Sequence, residues 1–104
     1  MNDLTEYELE VITTGRKLLS DTNTGNYIKF AGGFGDDIIH VFKNNGVWCT
    51  YFAERGNIFD YKEFDDVYDV MLEVLGSNYF PNENVCYYMT NFPSKNYFER
   101  EKAR

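Results

Sequence analysis

The chain predicts an α+β fold: an N-terminal helix, a three- to four-stranded antiparallel sheet, then one or two helices packed on one face. Three observations lead there. Residues 64–75 repeat apolar side chains at helical spacing, residues 37–54 alternate on either side of an Asn-Gly turn, and residues 4–19 are again helical in pattern. With 104 residues, of which 18% are aromatic, the sequence suits a single domain (1–104) with one modest core and is poorly suited to disorder.

Leu4, Tyr7, Val11, Ile12, Leu18 and Leu19 lie near helical spacing, with Glu6, Glu8 and Glu10 early and Arg16 and Lys17 late, as the helix dipole favours. Gly15 weakens the middle of this helix by about 1 kcal/mol relative to alanine, so packing has to support it. Asp21 to Asn26 reads as a polar loop, and Tyr27 to Ala31 as a strand closed by Gly32-Gly33-Phe34-Gly35. Asp37 to Lys43 and Val47 to Glu54 form a hairpin through Asn44-Asn45-Gly46, residue types that tolerate positive φ. In its second arm Val47, Cys49, Tyr51 and Ala53 alternate with Trp48, Thr50, Phe52 and Glu54. Apolar groups on both faces place that arm inside the sheet. Arg55-Gly56-Asn57 then turns the chain into a short Ile58-Phe59 strand.

Phe64, Val67, Tyr68, Met71, Leu72 and Leu75 fall at i, i+3, i+4, i+7, i+8 and i+11, the spacing of one buried helix face. Asp60 and Glu63 make a D-x-x-E pattern suited to its start, and Gly76 is a stop just beyond its end. Asp65, Asp66, Asp69 and Glu73 sit between the apolar positions, the last three forming a stripe turned away from the core with nothing basic facing it within the helix. Such a stripe is either a solvated face or a surface for a basic partner. Asn84 to Phe92 suits either a short helix or an edge strand, since periodicity does not decide so short an apolar run, and helix is preferred because Asn82 can cap it with Glu83 in the first turn; Pro93 ends it, and residues 95–104 are expected to begin as a short turn and fray.

The formal net charge of −7 argues against direct binding of nucleic acid or an anionic membrane, which needs Lys and Arg to displace counterions, and favours a cationic protein. The start of the chain lacks the basic segment and apolar run of a signal peptide, so a cytoplasmic location is expected. Cys49 and Cys86 have neither C-x-x-C spacing nor a disulfide framework and are read as two buried thiols. His40 with Asp36 and Asp37 supplies too few ligands on one strand face for a metal, and Cys49 with His40 lacks an orienting third group. The glycine run at 32–35 is neither G-x-G-x-x-G nor a Walker loop. No catalysis, cofactor or metal is expected. Glu54-Arg55-Gly56 has two architectural readings: a turn shaped by Gly56, or a buried Arg55 clamp on a carboxylate.

Trp48 to Asn57, an aromatic strand ending in Glu54-Arg55-Gly56, followed by Phe64 and an amphipathic helix, resembles the small α+β immunity proteins that accompany bacterial polymorphic and contact-dependent toxins. The resemblance spans roughly residues 36–76. It implies a cognate toxin, encoded nearby and neutralised by tight binding, with Trp48, Glu54, Arg55 and Gly56 as the shared scaffold. Many such toxins act on nucleic acid and are basic, which an acidic inhibitor matches. Asp65, Asp66, Asp69 and Glu73, with Asp60 and Glu63 on the rim, are then the expected partner-binding residues, with exposed aromatics nearby as anchors. Two other readings remain open: an acidic phosphate mimic that inhibits a DNA-binding enzyme, and a small accessory domain that dimerises through aromatic surface.

Overall fold

The computed structural model of the protein describes residues 4–30 and 37–102; the glycine run at 32–35, Ala31 and Asp36 lie outside them. Thr5 opens α1 (Glu6–Asp21) with a capping box: its hydroxyl accepts the Glu8 N–H at 3.1 Å, and the Glu8 carboxylate accepts the Thr5 N–H at 3.0 Å. A 3-10 turn at Gly25–Tyr27 leads into β1, which is only Ile28–Lys29 rather than the longer strand expected.

The hairpin is β2 (Ile38–Asn44) and β3 (Val47–Glu54), with Asn44 opposite Val47 and both loop residues at positive φ, Asn45 at 53° and Gly46 at 81°. This is the two-residue primed turn whose twist matches that of the strands. A second turn of the same kind follows at Arg55 (φ 50°) and Gly56 (φ 79°), with Glu54 opposite Asn57. It launches β4 (Asn57–Phe64), eight residues instead of the short Ile58-Phe59 strand. The strand order is β1-β2-β3-β4, with β3 inside as expected, β1 parallel to β2 and the other pairs antiparallel.

Three helices follow the sheet: α2 (Val67–Leu75), α3 (Asn82–Asn91) and α4 (Lys95–Lys102). The chain expected to fray after Pro93 is helical as far as Lys102, because Phe98 is fully buried in the core and anchors it. α2 packs on β3 and β4, α1 packs on α2, α3 rests on both α1 and α2, and α4 rests on α1, so that Ile39, Val41 and Trp48 of the sheet join Val11, Leu19, Val70, Met71, Leu75, Tyr88 and Phe98 in one core. Gly15 is the contact point of α1 with α2. A Cβ there would strike the Met71 methyl, so the residue that weakens the helix locally allows it to pack. The end of α1 is tied to α3 by three hydroxyls, Tyr88 lying 2.7 Å from Thr22 and 2.6 Å from Thr24. No helix among the described residues is long and apolar enough to cross a membrane.

Candidate binding surface

The acidic segment is folded differently from the stripe its spacing suggests. Asp60 and Glu63 belong to β4 and do not cap α2; Asp66 does, its carboxylate accepting the Tyr68 N–H at 3.0 Å. Asp66 also accepts the Tyr7 hydroxyl at 2.8 Å and pairs with Lys95 at 2.9 Å, joining α1, α2 and α4. Burial opposes its ionisation, but the Tyr68 N–H, Lys95 and Tyr7 together outweigh that and hold the carboxyl below the usual range. Asp66 is therefore a structural junction.

The remaining five acids are distributed around β4 and α2. Asp65 and Asp69 are exposed at the start of α2. Glu73 is half-buried near its other end and pairs with Lys62 of β4 at 3.0 Å. Asp60 has φ 56° and sits in a bulge, since Asp60 and Tyr61 together oppose Tyr51 between the Thr50–Lys62 and Phe52–Phe59 pairs. Its carboxylate accepts the Tyr79 hydroxyl at 2.6 Å, and that hydrogen bond, more than burial, pushes the Tyr79 pKa up to about 12. Glu63 lies on the opposite face of the sheet, where it accepts the Tyr61 hydroxyl at 2.8 Å.

Apolar groups are exposed on both faces of β4, Phe59 and Tyr79 on the helix side with Asp60 and Glu73, and Ile58 and Tyr61 on the opposite face with Glu63. Tyr61 is 51% exposed, Ile58 46%, Phe59 45% and Tyr79 44%, and Leu72, expected in the buried face of α2, is also exposed; Val70 and Val74 are buried instead. Tyr79 stacks on Phe52 with centroids 4.0 Å apart and rings nearly parallel. Below this stack a cleft of about 340 Å³ opens between β4 and the C-terminal end of α2, lined by Thr50, Asp60, Lys62, Glu73, Ser77 and Tyr79 among others.

The scaffold residues divide by depth. Trp48 is fully buried and donates its indole N–H to Glu8 at 2.8 Å, while Lys43 closes on the same carboxylate at 3.1 Å. Burial raises the Glu8 pKa, yet the Thr5 N–H, Trp48 and Lys43 bring it below the ordinary value. Glu8, expected only to favour the helix dipole, is thus the polar link from α1 to the sheet. The Thr5-x-x-Glu8 pattern signals its cap, whereas its bond to Trp48 across 40 residues has no local sequence signal. Glu54, Arg55 and Gly56 form the second primed turn, and Arg55 is exposed, so the buried clamp gives way to the turn.

His40 is fully buried on the sheet face away from the main core and stacks on Tyr51 at 4.9 Å. Its cross-strand neighbour is Tyr51, and Cys49 is opposite Phe42, so His40 and Cys49 are not directly apposed. Cys49 is buried, its Sγ 3.4 Å from the Tyr61 hydroxyl that donates to Glu63; Cys86 is exposed on α3, against the expectation of a second buried thiol. Among the described residues no group of three or more His, Cys, Asp or Glu is placed to hold a metal ion. No family model, curated protein or solved structure matches the chain.

Proposed function

We propose that this protein binds and neutralises a basic protein toxin, as an immunity protein with no catalysis of its own. The observation that carries the reading is the acid–aromatic surface of β4, α2 and the loop after it. Residues 57–78 hold six acids and one lysine; Asp60, Asp65, Asp69 and Glu73 lie at or near the surface of the β4 bulge and α2, with Phe59 and Tyr79 exposed on the same side as the bulge, while Glu63 shares the opposite face of the sheet with Ile58 and Tyr61. Concentrated negative charge speeds encounter with a cationic protein, and exposed aromatic side chains give such an encounter anchors that exclude water. The acids of this surface also imitate the phosphates that a nucleic-acid-cleaving toxin binds.

Co-expression with the product of the adjacent upstream reading frame tests the reading. The expected result is a hetero-complex on size exclusion, and survival of cells carrying that frame only when this chain is present. A self-dimer that captures nothing would favour the accessory-domain reading, and capture of a DNA-binding enzyme in place of the neighbouring product would favour the phosphate mimic.

A further inference from the structure

Resting on the basic-partner reading above, we propose that the cleft between β4 and the C-terminal end of α2 takes the guanidinium of a partner arginine, in a place that Lys62 fills in the free protein. The walls carry opposed carboxylates, Asp60 from the bulge and Glu73 from the helix. Thr50 adds a third acceptor. It is only 4% exposed, lies on the cleft side of β3 opposite Lys62, lines the cleft, and its side chain makes no hydrogen bond among the described residues. Its hydroxyl opens on the cleft, where a donor entering with the guanidinium can take the place of water.

Two further features favour a planar cation. The C-terminal end of α2 carries the negative pole of its dipole and has no basic residue in its last turn. Tyr79, stacked on Phe52 by one face, is 44% exposed, and an aromatic platform beside carboxylates suits guanidinium, which stacks and forks where an ammonium does neither. A cleft of about 340 Å³ is at the small end of ligand sites and fits one long side chain.

Lys62 is the resident cation. Its pair with Glu73 has side chains 50% and 38% exposed, a pair of the weakly held surface kind. A bidentate guanidinium competes well against it, and Lys62 swings to solvent when displaced.

The test is a heteronuclear NMR titration of the full chain with N-acetyl-arginine amide, with the lysine and norleucine amides for comparison. The expected result is saturable shifts confined to Thr50, Asp60, Lys62 and residues 73–79, larger for arginine than for lysine and absent for norleucine. Lys62→Gln tightens the arginine amide by about two- to fivefold, the range expected for losing an exposed competing pair. Lys17→Gln changes the net charge equally from the far side, at a helix i, i+4 pair with Asp21, and leaves the affinity within about twofold. The Asp60→Asn, Glu73→Gln double variant abolishes the shifts while its other resonances stay in place. Equal tightening by Lys62→Gln and Lys17→Gln, or shifts spread over the whole acidic surface, overturns the proposal. If the amide fails to localise while the neighbouring toxin is still captured, the cleft assignment falls and the toxin-binding reading stands; localisation without capture has the reverse meaning.

Discussion

Replacing Asp66 with alanine separates structure from recognition within the acidic segment. Loss of the α2 N-cap costs about 1 kcal/mol. Loss of a charged acceptor for the Tyr7 hydroxyl, 2.8 Å away at a buried ring, adds about 1.5 kcal/mol. The Lys95 pair, with side chains 41% and 26% exposed, adds no more than about 0.5 kcal/mol. The expected destabilisation is therefore about 3 kcal/mol, or a fall in Tm of about 12 °C or more for a chain of this size. Urea and thermal unfolding followed by circular dichroism measure it, with Asp65→Ala as the control, since Asp65 is exposed and expected to stay within about 0.5 kcal/mol of the parent. At a temperature where Asp66→Ala is folded, it keeps its affinity for the partner. If Asp66→Ala unfolds no earlier than Asp65→Ala, the junction is not structural and the reasoning fails.

The other stability predictions are independent of any partner. Gly15→Leu destabilises by about 2 kcal/mol or more in urea unfolding despite better helix propensity, since the added side chain meets Met71 in a filled core. Glu8 and Asp66 have folded pKa values below their ordinary ones, so the stability they contribute is present above the ordinary carboxylate range and lost as pH falls through the folded values. Tm should therefore drop below about pH 4, and Glu8→Gln should lower Tm at pH 7 while making that acid limb shallower.

The hairpin was legible because Asn45-Gly46 dictates a turn type and the flanking strands alternate, and the helix at 67–75 because its apolar spacing is long and regular. β4 was mostly hidden. Of its eight residues, seven are exposed, so no hydrophobic alternation marks it, and its Asp60 and Glu63 imitate a helix start. The stripe Asp66, Asp69, Glu73 was correct as helical geometry but silent about what other elements bring to it. Lys95 reaches Asp66 from α4 and Lys62 reaches Glu73 from β4, long-range neighbours that helical periodicity does not encode. The same holds for Tyr79: its stacking on Phe52 and bond to Asp60 arise from how the loop after α2 folds back on the sheet.

The toxin-binding account is tested most directly by charge reversal at the acids left on the surface, Asp65→Lys, Asp69→Lys and Glu73→Lys together, measured as the association rate with the neighbouring toxin at low salt. The account predicts a variant that folds normally but associates at least about tenfold more slowly, with a weaker dependence on ionic strength. An unchanged rate and an unchanged salt dependence would contradict it.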